Sequence, residues 1–354
     1  MRVLHVLETL AAGGVETTFL NVLRHLSTAM THDVLAFAGG ALESEYRAIA
    51  NRVTIARRTR DLEALLADGA YDVAHILFER CAERLLPLLV TRTATAVVYG
   101  KNYDFSGQWR TTEGFHWTPD DAMMAACDGV TFTTPALAAG YAPEETARGC
   151  VLGKGADVTP LLSIEPPAAD ARQRVLVIAN PTPRKRLGDL VAALAIVRQT
   201  VPEAEIRVLG QGDPPEEARL RALAHQRGTA GAFDLAGVSR DVAAELRQAR
   251  VVALCSGSEG VPTALLEAMA AGRPVVATDA GHVRSIVSDG VEGFVVPIGD
   301  VDAIADRLIR LLQDPALARQ LGRRGRARAR HHAVEAIAAR LSTVLAAQAV
   351  RHAA

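Results

Sequence analysis

The sequence predicts an α/β protein made of two tandem, doubly wound, Rossmann-like domains facing across a cleft. Three observations lead there. Short runs rich in Val, Leu and Ile alternate with longer amphipathic stretches along the chain, and continuous apolar runs of this kind are parallel strands buried on both faces. The series stops and restarts around residues 164–170, IEPPAAD, whose Pro/Ala composition suits a linker. Both halves also open alike. RVLHVLETLAAGG from Arg2 reads as strand, glycine turn and helix, and RVLVIANPTPRKR from Arg174 reads as strand, turn and basic helix start.

In chain order, the strands expected in the first half are RVLHVL (from Arg2), DVLAF (Asp33), DVAHIL (Asp72), TAVVY (Thr95) and GVTFTT (Gly129). Those of the second half are RVLVIAN (Arg174), EIRVLG (Glu205), AFDLAG (Ala232), RVVALC (Arg250), RPVVAT (Arg273) and GFVVP (Gly293). The expected divisions are a first domain over 1–165, a second over 166–335, and a C-terminal helix over 336–354 that packs back on the first. Ligands of such sheets bind at the carboxyl ends of the strands, and two facing domains would set the main site in the cleft between them.

Composition bounds the function. The 354 residues suffice for two domains. With 49% hydrophobic and 22% charged residues the chain is globular, not disordered. A net charge of −1 offers no general attraction to nucleic acid or to an anionic membrane. Cys81, Cys127, Cys150 and Cys255 form no CxxC pair, which argues for reduced thiols and against a metal or dithiol centre. No apolar run is long enough to span a bilayer, and Glu8 interrupts the opening apolar stretch, which reads as a first strand instead of a signal peptide. The expected location is cytoplasmic, with peripheral membrane contact left open. The arginine-rich region from Ala318 onward reads as a solvated helix face.

Chemistry concentrates in SEGVPTALLEAMAAG, which reads as loop, helix and stop. Pro262 suits the first helical turn, where its missing N–H costs nothing, and Gly272 stands where a terminator is expected. The amides of Thr263 and Ala264 are then open at a helix N-terminus, a ready phosphate site. Glu259 lies in the loop before that helix and Glu267 further along it, so two carboxylates flank the phosphate site. Three other patterns carry no site. GCVLGKG is one residue short of a P-loop, GQGDPP lacks the third glycine of a dinucleotide fingerprint, and the adjacent Asp120 and Asp121 are not a spaced metal-binding pair.

With these motifs in this order, residues 175–312 resemble the donor domain of the family-4 retaining glycosyltransferases of GT-B fold. The segments are VLGQG, FDLAGVSRDVAAEL and RVVALCSGSEGVPTALLEAMAAGRPVVATDAGHVRSIVSDGVEGFVVP. The resemblance implies that Glu259 contacts the transferred sugar and Glu267 the ribose hydroxyls. Gly260 and the amides of Val261, Thr263 and Ala264 would hold the diphosphate, and backbone near Gly237 and Val238 would line the base pocket. Lys185, in PTPRKRLGDLVAAL, matches the family's cation for the leaving diphosphate. The family's companion arginine is Asn180 here, and Arg184 is its expected substitute. The first half resembles the acceptor domain more loosely. Gly13 and Gly14 match its glycine loop and His75 its strand-end histidine. Lys101 and Asn102 stand where the family has a further histidine, and Lys154 replaces an asparagine in the turn before the linker. The aromatic loop with Trp109, Phe115 and Trp117 is an acceptor candidate.

The implied activity is transfer of a sugar from a nucleoside diphosphate donor, a UDP-sugar by expectation, to an acceptor hydroxyl of a small molecule, glycan or lipid-linked precursor. Neither metal nor cofactor would be needed. The alternatives are a sugar-nucleotide epimerase or phosphorylase, and a non-catalytic sugar-nucleotide-binding protein.

Overall fold

The computed structural model describes residues 1–12, 14–68, 70–89, 95–101, 124, 126–139, 148–167, 172–239 and 241–353. They form two compact units, 1–155 with 334–354, and 156–333.

The first unit carries strands β1 (Arg2–Thr9), β2 (Thr31–Ala38), β3 (Arg52–Ile55), β4 (Val73–Ile76), β5 (Ala96–Lys101), β6 (Gly129–Phe132) and β7 (Gly149–Val151). Helices α1 (Gly14–Leu23), α2 (Glu43–Ile49), α3 (Thr59–Asp68), α4 (Glu79–Leu89) and α5 (Pro135–Ala138) lie between them. The sheet order is β3-β2-β1-β4-β5-β6-β7, with every pairing parallel. The strands expected from continuous apolar runs are present, and β4 is buried along its whole length. The sequence reading passed over β3. Its RVTI is four residues long and only half-buried at the sheet edge, so it has no apolar run to betray it.

The second unit carries β8 (Arg174–Ile178), β9 (Glu205–Leu209), β10 (Phe233–Gly237), β11 (Val251–Leu254), β12 (Val275–Thr278) and β13 (Gly293–Val296), each where it was expected. Its helices are α6 (Leu187–Thr200), α7 (Pro214–Gln226), α8 (Val242–Gln248), α9 (Thr263–Ala270), α10 (Val301–Gln313) and α11 (Pro315–Ala329). The parallel sheet runs β10-β9-β8-β11-β12-β13. Strand order reverses between β8 and β11, and ligands of open α/β sheets bind beyond the carboxyl ends of the strands at such a point.

The change of unit falls at 155/156, ahead of the Pro/Ala stretch. Val158, Leu161 and Ile164 are buried in the core of the second unit. The Ile164 carbonyl accepts from Arg326 Nη2, and that of Glu165 accepts from Arg273 Nη2 at 2.7 Å. Helix α12 (Val334–Ala353) belongs to the first unit. Its Val334, Ile337, Leu341 and Leu345 are buried with Phe19, Val22 and Leu23 of α1, and Ser342 Oγ accepts from the Ser27 amide at 3.1 Å.

Candidate functional site

In the second unit, the segments leaving β8 and β11 meet at the reversal point. After β8 the chain makes a 3-10 turn at Pro183–Lys185 and enters α6 through Arg186, whose φ of 49° is left-handed. A non-glycine residue held there is strained, and such strain persists where surrounding contacts fix it. Here Arg186 Nε donates to Asp189 Oδ2 at 2.7 Å, and the Arg186 side chain lies against Gly257. The loop after β11 is tied to this turn. The Gly257 amide donates to the Arg184 carbonyl at 2.9 Å, and Arg184 Nη1 donates to the Ser258 carbonyl at 3.0 Å.

These ties bring Glu259, Lys185 and Arg184 together. Lys185 Nζ donates to Glu259 Oε1, and Ser256 Oγ donates to the same oxygen at 2.5 Å. Arg184 Nη1 stands 3.9 Å from Oε2. The Glu259 side chain is 8% exposed and that of Lys185 15%, against 58% for Arg184. Charge-assisted bonds out of water are the strong ones, so Lys185 and Ser256 fix the carboxylate while Arg184 contributes a solvated charge.

Two features below the loop hold it. Thr278 Oγ1 donates to the Ser256 carbonyl at 2.6 Å. Gly281, at φ +55°, packs so close to Glu259 that a Cβ would overlap the Glu259 carbonyl oxygen. Glycine alone meets both demands without strain.

Helix α9 then begins. Pro262 is its cap rather than part of the first turn, a small correction that leaves the consequence unchanged. Among the described residues, no protein acceptor takes the amides of Val261, Thr263 or Ala264, as expected at a helix N-terminus. Glu267 lies one turn further on, half-buried. Burial pushes its carboxyl up to about 7, and the charge of Asp157 adds to the shift. The helix ends in a Schellman motif. Gly272, at φ +69°, donates to the Met269 carbonyl at 2.9 Å, and Arg273 donates to that of Ala268 at 2.9 Å.

At the end of β10, Gly237 has a φ of +73°, and a Cβ built on it would meet nothing within 4 Å. Beside it, Val238 is 69% exposed. Asn180 does a structural job where the resemblance implies arginine, because its Oδ1 accepts from the Gln211 amide at 3.1 Å and so fixes the turn after β9.

The remaining candidates belong to the first unit. Gly14 starts α1, Lys101 ends β5, and His75 is buried on β4. Gly13, Asn102 and Trp109 lie outside the described residues. Sequence reasoning missed Ser256, Thr278 and Gly281, whose parts depend on tertiary proximity. It also missed Asp157, although that residue stands in the very turn, KGAD, that the resemblance had singled out.

Residues 163–328 match the family model described as glycosyl transferases group 1. A putative glycosyltransferase, EpsD of Bacillus subtilis, is 33% identical over 142 residues, 40% of this chain and 37% of EpsD. The phosphatidyl-myo-inositol mannosyltransferase of Mycobacterium leprae is 38% identical over 138 residues, 38% of this chain and 36% of that protein. The match thus spans well under half of these curated relatives. Among solved structures, Anabaena HepE in complex with UDP aligns with a TM-score of 0.82, covering 98% of this chain and 100% of HepE at 18% identity. The similarity to the glycosyl transferases group 1 family is thus carried by residues 163–328, which lie within the second unit, and the two parallel sheets have the GT-B fold.

Proposed function

We propose that the protein is a retaining glycosyltransferase that moves a sugar from a nucleoside diphosphate donor, a UDP-sugar, to an acceptor hydroxyl. The observation that carries this reading is the arrangement around α9. A buried carboxylate, Glu259, is held by Lys185 and Ser256 at the mouth of a helix whose first amides are open, with a second carboxylate, Glu267, one turn along. Open amides and a cation suit a diphosphate. Carboxylates on either side of it suit the hydroxyls of a sugar and of a ribose. In this reading Glu259 binds the transferred sugar and Glu267 the ribose. Gly260, Val261, Thr263 and Ala264 hold the diphosphate, and the open backbone at Gly237 and Val238 takes the base.

The reaction balances without a protein nucleophile. The bond from the anomeric carbon to the diphosphate oxygen breaks, the acceptor oxygen bonds to that carbon on the same face, and the acceptor proton passes to the leaving phosphate. Negative charge grows on the diphosphate, where preorganised donors stabilise the transition state. Lys185, Arg184 and the α9 amides supply them, so no divalent metal or cofactor is required. The acceptor is a glycan, lipid-linked or small-molecule hydroxyl, as the named activities of the relatives suggest. Among the described residues no helix is long and apolar enough to cross a membrane.

The test is Glu259→Ala, assayed for sugar transfer from UDP-glucose and other UDP-sugars to a panel of acceptors. Transfer should vanish while UDP still raises the melting temperature. Near-normal turnover would refute the assignment, and complete inhibition by EDTA would refute the metal-free chemistry. Product formed from the donor without any acceptor would favour an epimerase instead. Donor binding with no transfer across the panel would favour a non-catalytic binding protein.

A further inference from the structure

One face of the first sheet carries a row of residues across five strands. His5 on β1 pairs with His75 on β4. His32 lies on the same face of β2, two residues before Val34, the β2 partner of His5. Gly100 on β5 stands two residues past Val98, the partner of His75, and is itself paired with Thr131 on β6.

The three histidines join head to tail, and the direction of the chain is fixed at one end. His32 Nε2 lies 3.2 Å from the Ser27 carbonyl, which can only accept, so His32 carries its proton on Nε2. Burial lowers the proton affinity of all three rings, His75 to about 4, and keeps them neutral. A neutral imidazole has one N–H and one bare nitrogen. The bare Nδ1 of His32 therefore accepts from His5 Nε2–H at 3.0 Å, and the bare Nδ1 of His5 accepts from His75 Nδ1–H at 3.2 Å. Phe19 packs on both inner rings, with centroids 5.0 Å from His5 and 5.8 Å from His75.

The chain of bonds ends on the bare Nε2 of His75, which has no partner among the described residues, although His75 is only 3% exposed. His75 lines an open pocket within the first unit, together with Thr18, Phe19, Thr131, Lys154 and Ile337. Thr131 is 4% exposed, and its hydroxyl likewise has no partner among the described residues. Between the two stands Gly100. A Cβ there would be 3.5 Å from both His75 Nε2 and Thr131 Oγ1, so the missing side chain keeps the space before them open.

We infer that this pocket takes a hydroxyl-bearing ligand whose O–H donates to His75 Nε2 and whose oxygen accepts from Thr131, and that the His5–His32–Ser27 chain holds His75 in the one tautomer able to accept. The ligand class is a polyol or sugar. Its identity as the acceptor in the reaction proposed above rests on that reading, whereas the tautomer and the pocket do not. His75 and Thr131 bind the hydroxyl, and His5 and His32 are positioning residues.

Three measurements on the full chain test this without turnover, so they stand or fall apart from the glycosyl-transfer reading. Long-range proton–nitrogen correlation spectra of protein labelled at the imidazole nitrogens should show His75 protonated on Nδ1 and bare on Nε2. A proton resident on Nε2 overturns the inference. Glycerol, as the smallest polyol probe, should shift the Nε2 resonance of His75 saturably. Gly100→Ala adds a methyl at ordinary contact distances and should keep the melting temperature while weakening the glycerol response at least tenfold. An absent shift, or an equal one in the variant, overturns the pocket. His32→Phe should leave His75 divided between its tautomers, and an unchanged single tautomer would show that the chain does not position it.

Discussion

Glu259 receives two donors on one oxygen, Lys185 Nζ and Ser256 Oγ, and only the lysine was legible in the sequence. Removing the hydroxyl deletes a bond to a charged group, worth about 1.5–3 kcal/mol. Ser256→Ala should therefore lower kcat/KM for transfer by roughly ten- to a hundredfold with little change in the affinity for UDP, and steady-state kinetics beside calorimetric binding would check both. Glu267 makes a pH prediction. Its carboxyl ionises near 7 in the folded protein instead of near 4.5, chiefly through burial and then through Asp157. An acid whose pKa is raised by folding carries no penalty below the unfolded value. The penalty then grows as pH rises and is complete above the folded value. Glu267→Gln should thus melt close to wild type at pH 4 and above it at pH 8. If the carboxylate is the form that takes the ribose hydroxyls, affinity for UDP-glucose should rise about tenfold from pH 6 to pH 8. The diphosphate of that donor keeps its charge over this range. Glu267→Gln should flatten the rise, and calorimetric titration at the two pH values decides.

The loop that carries Glu259 is shaped by an element more than twenty residues further along. Gly281 follows β12 in a left-handed conformation against the Glu259 carbonyl. A Cβ at this position meets backbone on one side and an unfavourable φ on the other, so the loop must move. Gly281→Ala should displace Glu259 from Lys185, cutting turnover about a hundredfold, because a misplacement of about 1 Å at a reacting centre costs that much. Circular dichroism should show the sheet intact, and wild-type kinetics in this variant would show that the loop tolerates the shift. Helix α11 offers a control remote from the chemistry. Asp314 caps it, with Oδ1 accepting from the Ala316 and Leu317 amides at 3.0 and 2.9 Å. Asp314→Ala should cost about 1 kcal/mol of stability, measured by denaturant midpoint, and leave kinetics unchanged.

Over the whole chain, what could be read in advance was what local pattern encodes. VLVI and VVAL announce buried parallel strands because every residue is apolar, and the α9 segment announces its start, carboxylates and Schellman glycine within fifteen residues. RVTI on the edge announced nothing. The unit boundary lies ahead of Ile164 because Ile164 and Glu165 are held by Arg326 and Arg273, more than a hundred residues downstream. The row of His32, His5 and His75 likewise exists only once strand register is set, since their spacing along the chain has no period. The same long reach governs stability. The first unit encloses its core only when α12 arrives, 178 residues of second unit later. Leu345 is fully buried there among side chains of the first unit. Leu345→Ala leaves a cavity that the packed helix cannot close, at a cost of about 2–5 kcal/mol. Because the second unit has its own core, the loss should be local. In hydrogen exchange, the β1 and β4 amides should lose protection while those of β8 and β11 keep theirs, and binding of UDP-glucose should be unchanged. An equal loss of protection in both sheets would mean that α12 stabilises the molecule as one cooperative body instead of completing the first unit.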